Sequence, residues 1–360
     1  MDKYWLDSID RPKASDKHIS RELFTRLDKN ENLDNEYLDR LVELIGDGGR
    51  IKMSMYPESI IDRLYRSIAR WNNTSIDSIF VSNGSDGIIK AVFETFAGPS
   101  DFISFPNPTF AMYEIYARIY HLPYTKLNYD KNFTFEVPIE MLETRGCALL
   151  CIPNPNSPTG SIHWQDELEY IIKICKEHNT IVLIDEAYYP YYSDSMAKFI
   201  KDWDNLIIAR SFSKAFGLAG YRVGYAIANP KLIKRMNAQK PMYEIGTVSA
   251  IAANIALCDT NLDNMFASVY KTMKLKKDVC DTLESMGFEI YRGFANFFHI
   301  CFSKNEMEKQ MYIDAIKEEK FLFKEKFDHP CLEGYCRFTV GNKYQMSKLL
   351  NTIKWVKESL

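Results

Sequence analysis

Between about residues 79 and 228, short apolar runs alternate with stretches of helical period. IFVS precedes IIKAVFETF, DFISF precedes FAMYEIYARIY, and CALLCI precedes ELEYIIKICKEH; IVLID, NLIIARS and VGYAIA follow. Strands covered on both faces read as continuous apolar runs, and parallel neighbours need a crossover to return the chain. The alternation therefore predicts an α/β layer built on a largely parallel sheet. After it the pattern changes. Residues 247 to 285 read as long helix ending near Met286-Gly287, where glycine suits a helix C-terminus. Strand-like FEIY and NFFHICF, a helical stretch near 306 to 319, strand-like FLFKE and YCRFTV and a last helix predict a smaller α+β unit. Residues before about 45 read as polar and irregular, packing near that unit.

Composition narrows the function classes. Among 360 residues, 46% are apolar, 26% are charged and the formal net charge is -3, so no basic footprint points to nucleic acid. The opening MDKYWLDSIDRPK has no apolar run of signal-peptide length, and no stretch reaches the ~18 apolar residues that span a bilayer, so the expectation is a cytoplasmic protein without membrane contact. Eight cysteines (147, 151, 175, 258, 280, 301, 331 and 336) lie in apparent core segments without metal-ligand spacing. They suit reduced, buried thiols, and no metal site is expected. Cys331 and Cys336 resemble half a metal site, but no second half appears.

Several polar residues fall where the apolar runs end. TIVLIDEAYYPYY closes a strand on Asp185, at the carboxyl edge of the sheet where α/β proteins place ligands. Lys214 follows the next strand in SFSKAFG, so the two side chains can face one crevice. Each has a plainer reading, a turn or capping acid for Asp185 and a solvated loop cation for Lys214. In SIFVSNGSDGIIK a turn at Gly84-Ser85-Asp86 opens a helix, whose free N–H groups and dipole attract an anion. Ser85 and Asp86 also suit simple caps. The glycine patterns of dinucleotide and nucleoside triphosphate sites are missing, so the anion is some other phosphate. NPNSPTG, residues 154 to 160, forms a stiff turn at another strand end, while Arg222 with Ser211 and Ser213 adds a guanidinium and two hydroxyls.

Together these residues resemble the fold-type-I pyridoxal-phosphate enzymes, within them the histidinol-phosphate aminotransferase-like group. The resemblance runs through Leu27-Asp28-x-Asn30-Glu31-Asn32, Met55-Tyr56-Pro57-Glu58, Asn83 to Asp86, Pro108-Thr109-Phe110, Asn154 to Gly160, Asp185-Glu186-Ala187-Tyr188, Ser211 to Lys214 with Arg222, Ala295-Asn296-Phe297 and Arg337. It implies a large doubly wound domain over 45–270 and a small domain of 1–44 and 271–360. It implies that Lys214 holds pyridoxal phosphate as a Schiff base and moves the substrate proton, that Asp185 pairs with the ring nitrogen, and that Tyr188 bonds the ring hydroxyl. Phe110 would stack on the ring, and Gly84, Ser85, Asp86, Ser211, Ser213 and Arg222 would cup the phosphate. Tyr56 resembles a tyrosine that reaches the phosphate across a subunit boundary, which implies a homodimer with shared sites. Arg337 resembles the clamp for the substrate carboxylate, with Asn30 beside it.

Three departures from the family pattern bear on function. Ser157 stands where an asparagine usually precedes Pro-Thr-Gly, so the contact to the ring oxygen passes to its hydroxyl or to Asn156. Lys320-Phe-Leu-Phe-Lys324 replaces a Gly-x-x-x-Arg stretch, putting a point charge where a fork would read phosphate, and Glu244 adds a carboxylate near the expected substrate side. The expected reaction moves an amino group between an amino acid, glutamate most simply, and a small phosphorylated carbonyl compound. The rival reading is decarboxylation of a phosphorylated amino acid, as in enzymes resembling threonine-phosphate decarboxylase.

Overall fold

A computed structural model describes residues 21–47 and 56–360. The opening MDKYWLDSIDRPK, residues 1–20 of the expected small domain, and Met55 lie outside the described residues. The first half runs β1 (Thr25–Arg26), α1 (Asn35–Asp47), α2 (Glu58–Trp71), β2 (Ile79–Ser82), α3 (Gly84–Phe96), β3 (Phe102–Asn107), α4 (Met112–Ile119), β4 (Tyr124–Asn128), α5 (Ile139–Arg145), β5 (Cys147–Pro153) and α6 (Gln165–Glu177). Next come β6 (Ile181–Asp185), β7 (Leu206–Ser211), β8 (Gly224–Ala228), α7 (Pro230–Asn237), α8 (Thr247–Ala256) and α9 (Asp259–Ser285). The chain ends with β9 (Glu289–Tyr291), β10 (Phe297–Cys301), α10 (Glu306–Glu318), β11 (Phe321–Leu322), β12 (Tyr335–Thr339) and α11 (Lys343–Ser359).

The apolar runs form a seven-stranded sheet in the order β2-β8-β7-β6-β5-β3-β4. Its strands run one way except β8, which is antiparallel to both neighbours. Side chains alternate across a strand, so each run feeds two cores. Val182, Ile184, Leu206 and Ile208 enter the core on one face; Leu183, Ile207 and Ala209 enter the core on the other. This two-sided burial explains why the strands carry no polar alternation. It also gathers the strand ends, since β2, β3, β5, β6 and β7 all finish at the same edge.

A third core gathers Leu27 and Leu33 with residues of α9, β10, α10, β12 and α11. There β12-β10-β9 form an antiparallel sheet and β1 pairs with β11 in parallel. Helix α9 belongs to two cores, with Met265 and Val269 in the first and Val279, Cys280 and Leu283 in the third. Residue 270 therefore falls inside one continuous helix.

Two expectations are corrected and one strand is added. The helix read over 247–285 is two helices, because Cys258 is extended (φ -69, ψ 143) and the Asn261 amide donates to the Ile255 carbonyl at 2.8 Å, closing the end of α8. Residues before 45 are not all irregular, since α1 buries Tyr37 and Leu41 against α8 and α9. Edge strand β4, whose side chains are mostly half-buried, lacked an apolar run to announce it. Among the described residues, no helix is long and apolar enough to cross a membrane.

Candidate active site

Lys214 sits in a turn just past β7, and the turn is anchored from below. Phe212 and Phe216 are buried beneath it, while Gly217 N–H donates to the Lys214 carbonyl (3.0 Å) and Leu218 N–H to the Phe212 carbonyl (2.9 Å). That frame leaves the lysine side chain in a cavity of about 390 Å³ which Asp185, Tyr188, Phe110 and Arg337 also line. Its Nζ donates to the Lys29 carbonyl at 2.9 Å and lies 5.7 Å from the Tyr188 ring centroid.

Asp185 ends β6 and is buried. Its Oδ2 accepts from the Tyr113 hydroxyl at 2.9 Å, and its Oδ1 accepts from the Ala187 N–H at 3.0 Å. Burial pushes the acid up to about 6, against the pull of those two donors. The next residue, Glu186, is engaged elsewhere, in a buried ion pair with Arg210 at 3.0 Å. Tyr188 accepts a hydrogen bond from the Asn30 amide at 2.8 Å. Asn30 itself holds φ +54 and is locked to Thr339, whose hydroxyl accepts from its N–H and donates to its Oδ1.

Opposite lies an anion cup. Helix α3 starts at Gly84 with no side-chain cap among the described residues, leaving first-turn N–H groups for an anion, and Ser85 and Asp86 line the cavity. Ser211, Ser213 and Arg222 line it from the end of β7 and the segment after it, with Arg222 Nη1 3.3 Å from Ser213 Oγ. The approach is close enough to demand glycine. A Cβ on Gly84 would stand 2.7 Å from Arg222 Nη2, and one on Gly224 would stand 2.5 Å from the Ser85 nitrogen. Asp86 turns its carboxylate to the Tyr116 hydroxyl at 2.9 Å.

Arg337, on β12, is buried over the Phe297 ring, 4.9 Å from guanidinium carbon to centroid. Its Nη1 donates to Ser157 Oγ at 3.2 Å and its Nη2 to the Asp28 carbonyl at 2.9 Å, while its buried Nε finds no partner among the described residues. Both partners are neutral, and burial lowers its pKa. Such a fork suits a carboxylate. This donor set fits pyridoxal phosphate: a buried acid for a ring nitrogen, a phenol for a ring oxygen, an amine, and an anion cup a Cβ would fill.

Not every expected residue joins this cavity. Asn156 spends its amide on Thr109, Pro108 and Thr159, so of the two candidates only Ser157 lines the cavity. Glu244 does not line it; its carboxylate accepts from the Ser82 hydroxyl and its carbonyl from Asn83. Lys324 pairs with Arg337 through the backbone only, and its exposed ammonium lies 5.9 Å over the Phe327 ring. The lysine lining the cavity with Lys214 is Lys29. Tyr56 stands 74% exposed, stacked on Tyr243 at 4.6 Å. Tyr113 and Tyr116 escaped the sequence reading, although they follow Phe110 at helical spacing, three and six residues on, and hold the site's two acids.

A family model described as aminotransferase class I and II matches residues 25–353. Over 336 residues the chain is 32% identical to a histidinol-phosphate aminotransferase of Thermoanaerobacter sp. (strain X514), covering 91% of this chain and 92% of that one. It is 28% identical over 365 residues to a histidinol-phosphate aminotransferase of Clostridium botulinum (strain Okra / Type B1), covering 100% of both. Among solved structures, the histidinol-phosphate aminotransferase from Clostridium acetobutylicum superposes with a TM-score of 0.79 at 24% identity, covering 93% of this chain and 100% of that one. The L-threonine-O-3-phosphate decarboxylase from Porphyromonas gingivalis gives 0.76 at 21%, covering 93% and 99%. At those identities the structural likeness concerns the fold alone. Because the matched span 25–353 takes in both the large sheet and the strand that carries Arg337, the chain belongs to the aminotransferase class I and II family and is a pyridoxal-phosphate-dependent transaminase.

Proposed function

We propose that the chain moves an amino group from an amino acid, glutamate most simply, to a small phosphorylated carbonyl compound, as histidinol-phosphate aminotransferases do. Arg337 carries the reading: a buried guanidinium with neutral partners and an Nε unpaired among the described residues, lining the same cavity as Lys214. A substrate carboxylate gripped there brings its Cα into the cavity that Lys214 lines.

Pyridoxal phosphate, once bound, supplies the carbonyl that takes up the amine and the ring that accepts electrons released at Cα. Lys214 Nζ takes the Cα proton. Asp185 would accept the ring N–H and keep it protonated, Tyr188 and Ser157 would bond the ring oxygen, and Phe110 would cover the ring. Gly84, Ser85, Asp86, Ser211, Ser213 and Arg222 would hold its phosphate. In the same reading, residues 45–270 form the cofactor-binding unit, residues 1–44 and 271–360 form the small unit, and two copies share their sites through Tyr56. The exposure of Tyr56 away from the cavity supports this, and full activity in a sedimenting monomer would contradict it.

A panel of phosphorylated acceptors and their dephosphorylated analogues, assayed with glutamate, tests the substrate class. Loss of the phosphate is expected to lower kcat/KM by about 100-fold or more, the effect of a charge-assisted pair of roughly 3 kcal/mol. Lys29→Ala should shrink that preference and Lys324→Ala should leave it, following which lysine lines the cavity. Equal use of both forms by the unmodified enzyme would remove phosphate from the reading.

A further inference from the structure

Helix α9 passes between two cores, and one of its lysines is buried at the crossing. Lys276 is 3% exposed, and its Nζ donates to the Gly293 carbonyl at 2.9 Å and the Ala295 carbonyl at 2.6 Å. Neither partner is an acid. Lysine is almost never buried this deeply without a counter-charge, so its retention calls for a specific reason.

The two carbonyls belong to the loop between β9 and β10, and this loop touches the site from several sides. Phe294 N–H donates to the Gly160 carbonyl at 2.7 Å, binding the loop to the turn that carries Ser157. Gly293 presses on the same turn, where an added Cβ would stand 2.9 Å from the Gly160 oxygen. The Asn296 amide donates to the Asn30 carbonyl at 3.2 Å, and Asn30 holds Tyr188. Phe297 follows directly, with its ring beneath Arg337 and edge-on to Tyr188 at 5.6 Å.

We propose that Lys276 is a positioning residue, a two-pronged bracket that fixes the 293–295 loop and so sets the height of the Phe297 platform on which Arg337 grips the substrate carboxylate. Burial pushes the Lys276 amine down to about 7, with nearby Arg292 pushing the same way and Cys280 opposing. A neutral amine keeps two N–H bonds, one for each carbonyl, so the bracket closes in either protonation state.

The inference rests on Arg337 as the carboxylate clamp, and the experiment separates the two claims. Lys276→Met keeps the bulk and removes both donors; Arg337→Ala removes the clamp. In the cofactor-loaded enzyme, Lys276→Met is expected to raise the KM for glutamate and the Kd for the unreactive dicarboxylate glutarate about tenfold, while kcat falls less than about threefold. If Arg337→Ala raises both constants and Lys276→Met leaves them at the unmodified values, Lys276 is packing only and the bracket is overturned. If Arg337→Ala also changes neither, the clamp itself has failed. Should Lys276→Met not fold, Lys276→Gln keeps a polar donor on a shorter arm and must show the same split in smaller degree. Unmodified constants in that variant overturn the bracket as well.

Discussion

Lys214→Ala is expected to lower turnover by about 10⁴-fold or more, because it removes both the amine that anchors the cofactor and the base that takes the Cα proton. The fold should survive. Among the described residues its ammonium donates to the Lys29 carbonyl alone, and the turn is held by backbone bonds and the two buried phenylalanines. Far-ultraviolet dichroism and the thermal midpoint check the fold, and turnover with glutamate checks the function. Near-normal turnover in a folded variant would return Lys214 to a solvated loop cation.

Asp185→Asn is expected to lower kcat by about 10² to 10³-fold while leaving part of the cofactor affinity, since an amide cannot keep a ring nitrogen protonated. It also has a signature in the cofactor-free protein. With its pKa raised from 3.8 to about 6 on folding, Asp185 binds more protons in the native state than in the unfolded chain across that window. Stability due to it is therefore present at low pH and lost as pH rises from about 4 to 6, by roughly 3 kcal/mol at 1.36 kcal/mol per pKa unit. In urea unfolding, the unmodified protein should lose that stability over the interval while Asp185→Asn, which has no carboxylate to titrate, does not, so the gap between them should shift by about that amount. A constant gap between the two would mean that Asp185 titrates normally.

The strand ends were legible because burial on both faces writes strands as bare apolar runs, and a polar residue at the end of such a run has one place to go. Asp185, Ser211 and the Gly84 turn were found in this way. Residues whose direction depends on tertiary contacts were not. Glu244 lies in the turn before α8, and nothing local says that its carboxylate meets Ser82. Lys324 shares a register with Arg337, yet its ammonium swings to Phe327 while the guanidinium turns inward to Ser157. Tyr113 reads as one more apolar face residue of an amphipathic helix until its hydroxyl is seen on Asp185. Lys276 reads as a solvated helix lysine for the same reason, because side-chain burial at the crossing of two cores has no local sequence mark.

One measurement bears most directly on transamination at the Lys214 cavity. Cofactor-loaded enzyme is mixed with glutamate and no acceptor, and 2-oxoglutarate and CO₂ are counted per subunit. The expected result is about one 2-oxoglutarate per subunit with no CO₂, and none from Lys214→Ala, as a two-step exchange of one amino group requires. Stoichiometric CO₂, or 2-oxoglutarate at the same yield from Lys214→Ala, would contradict it.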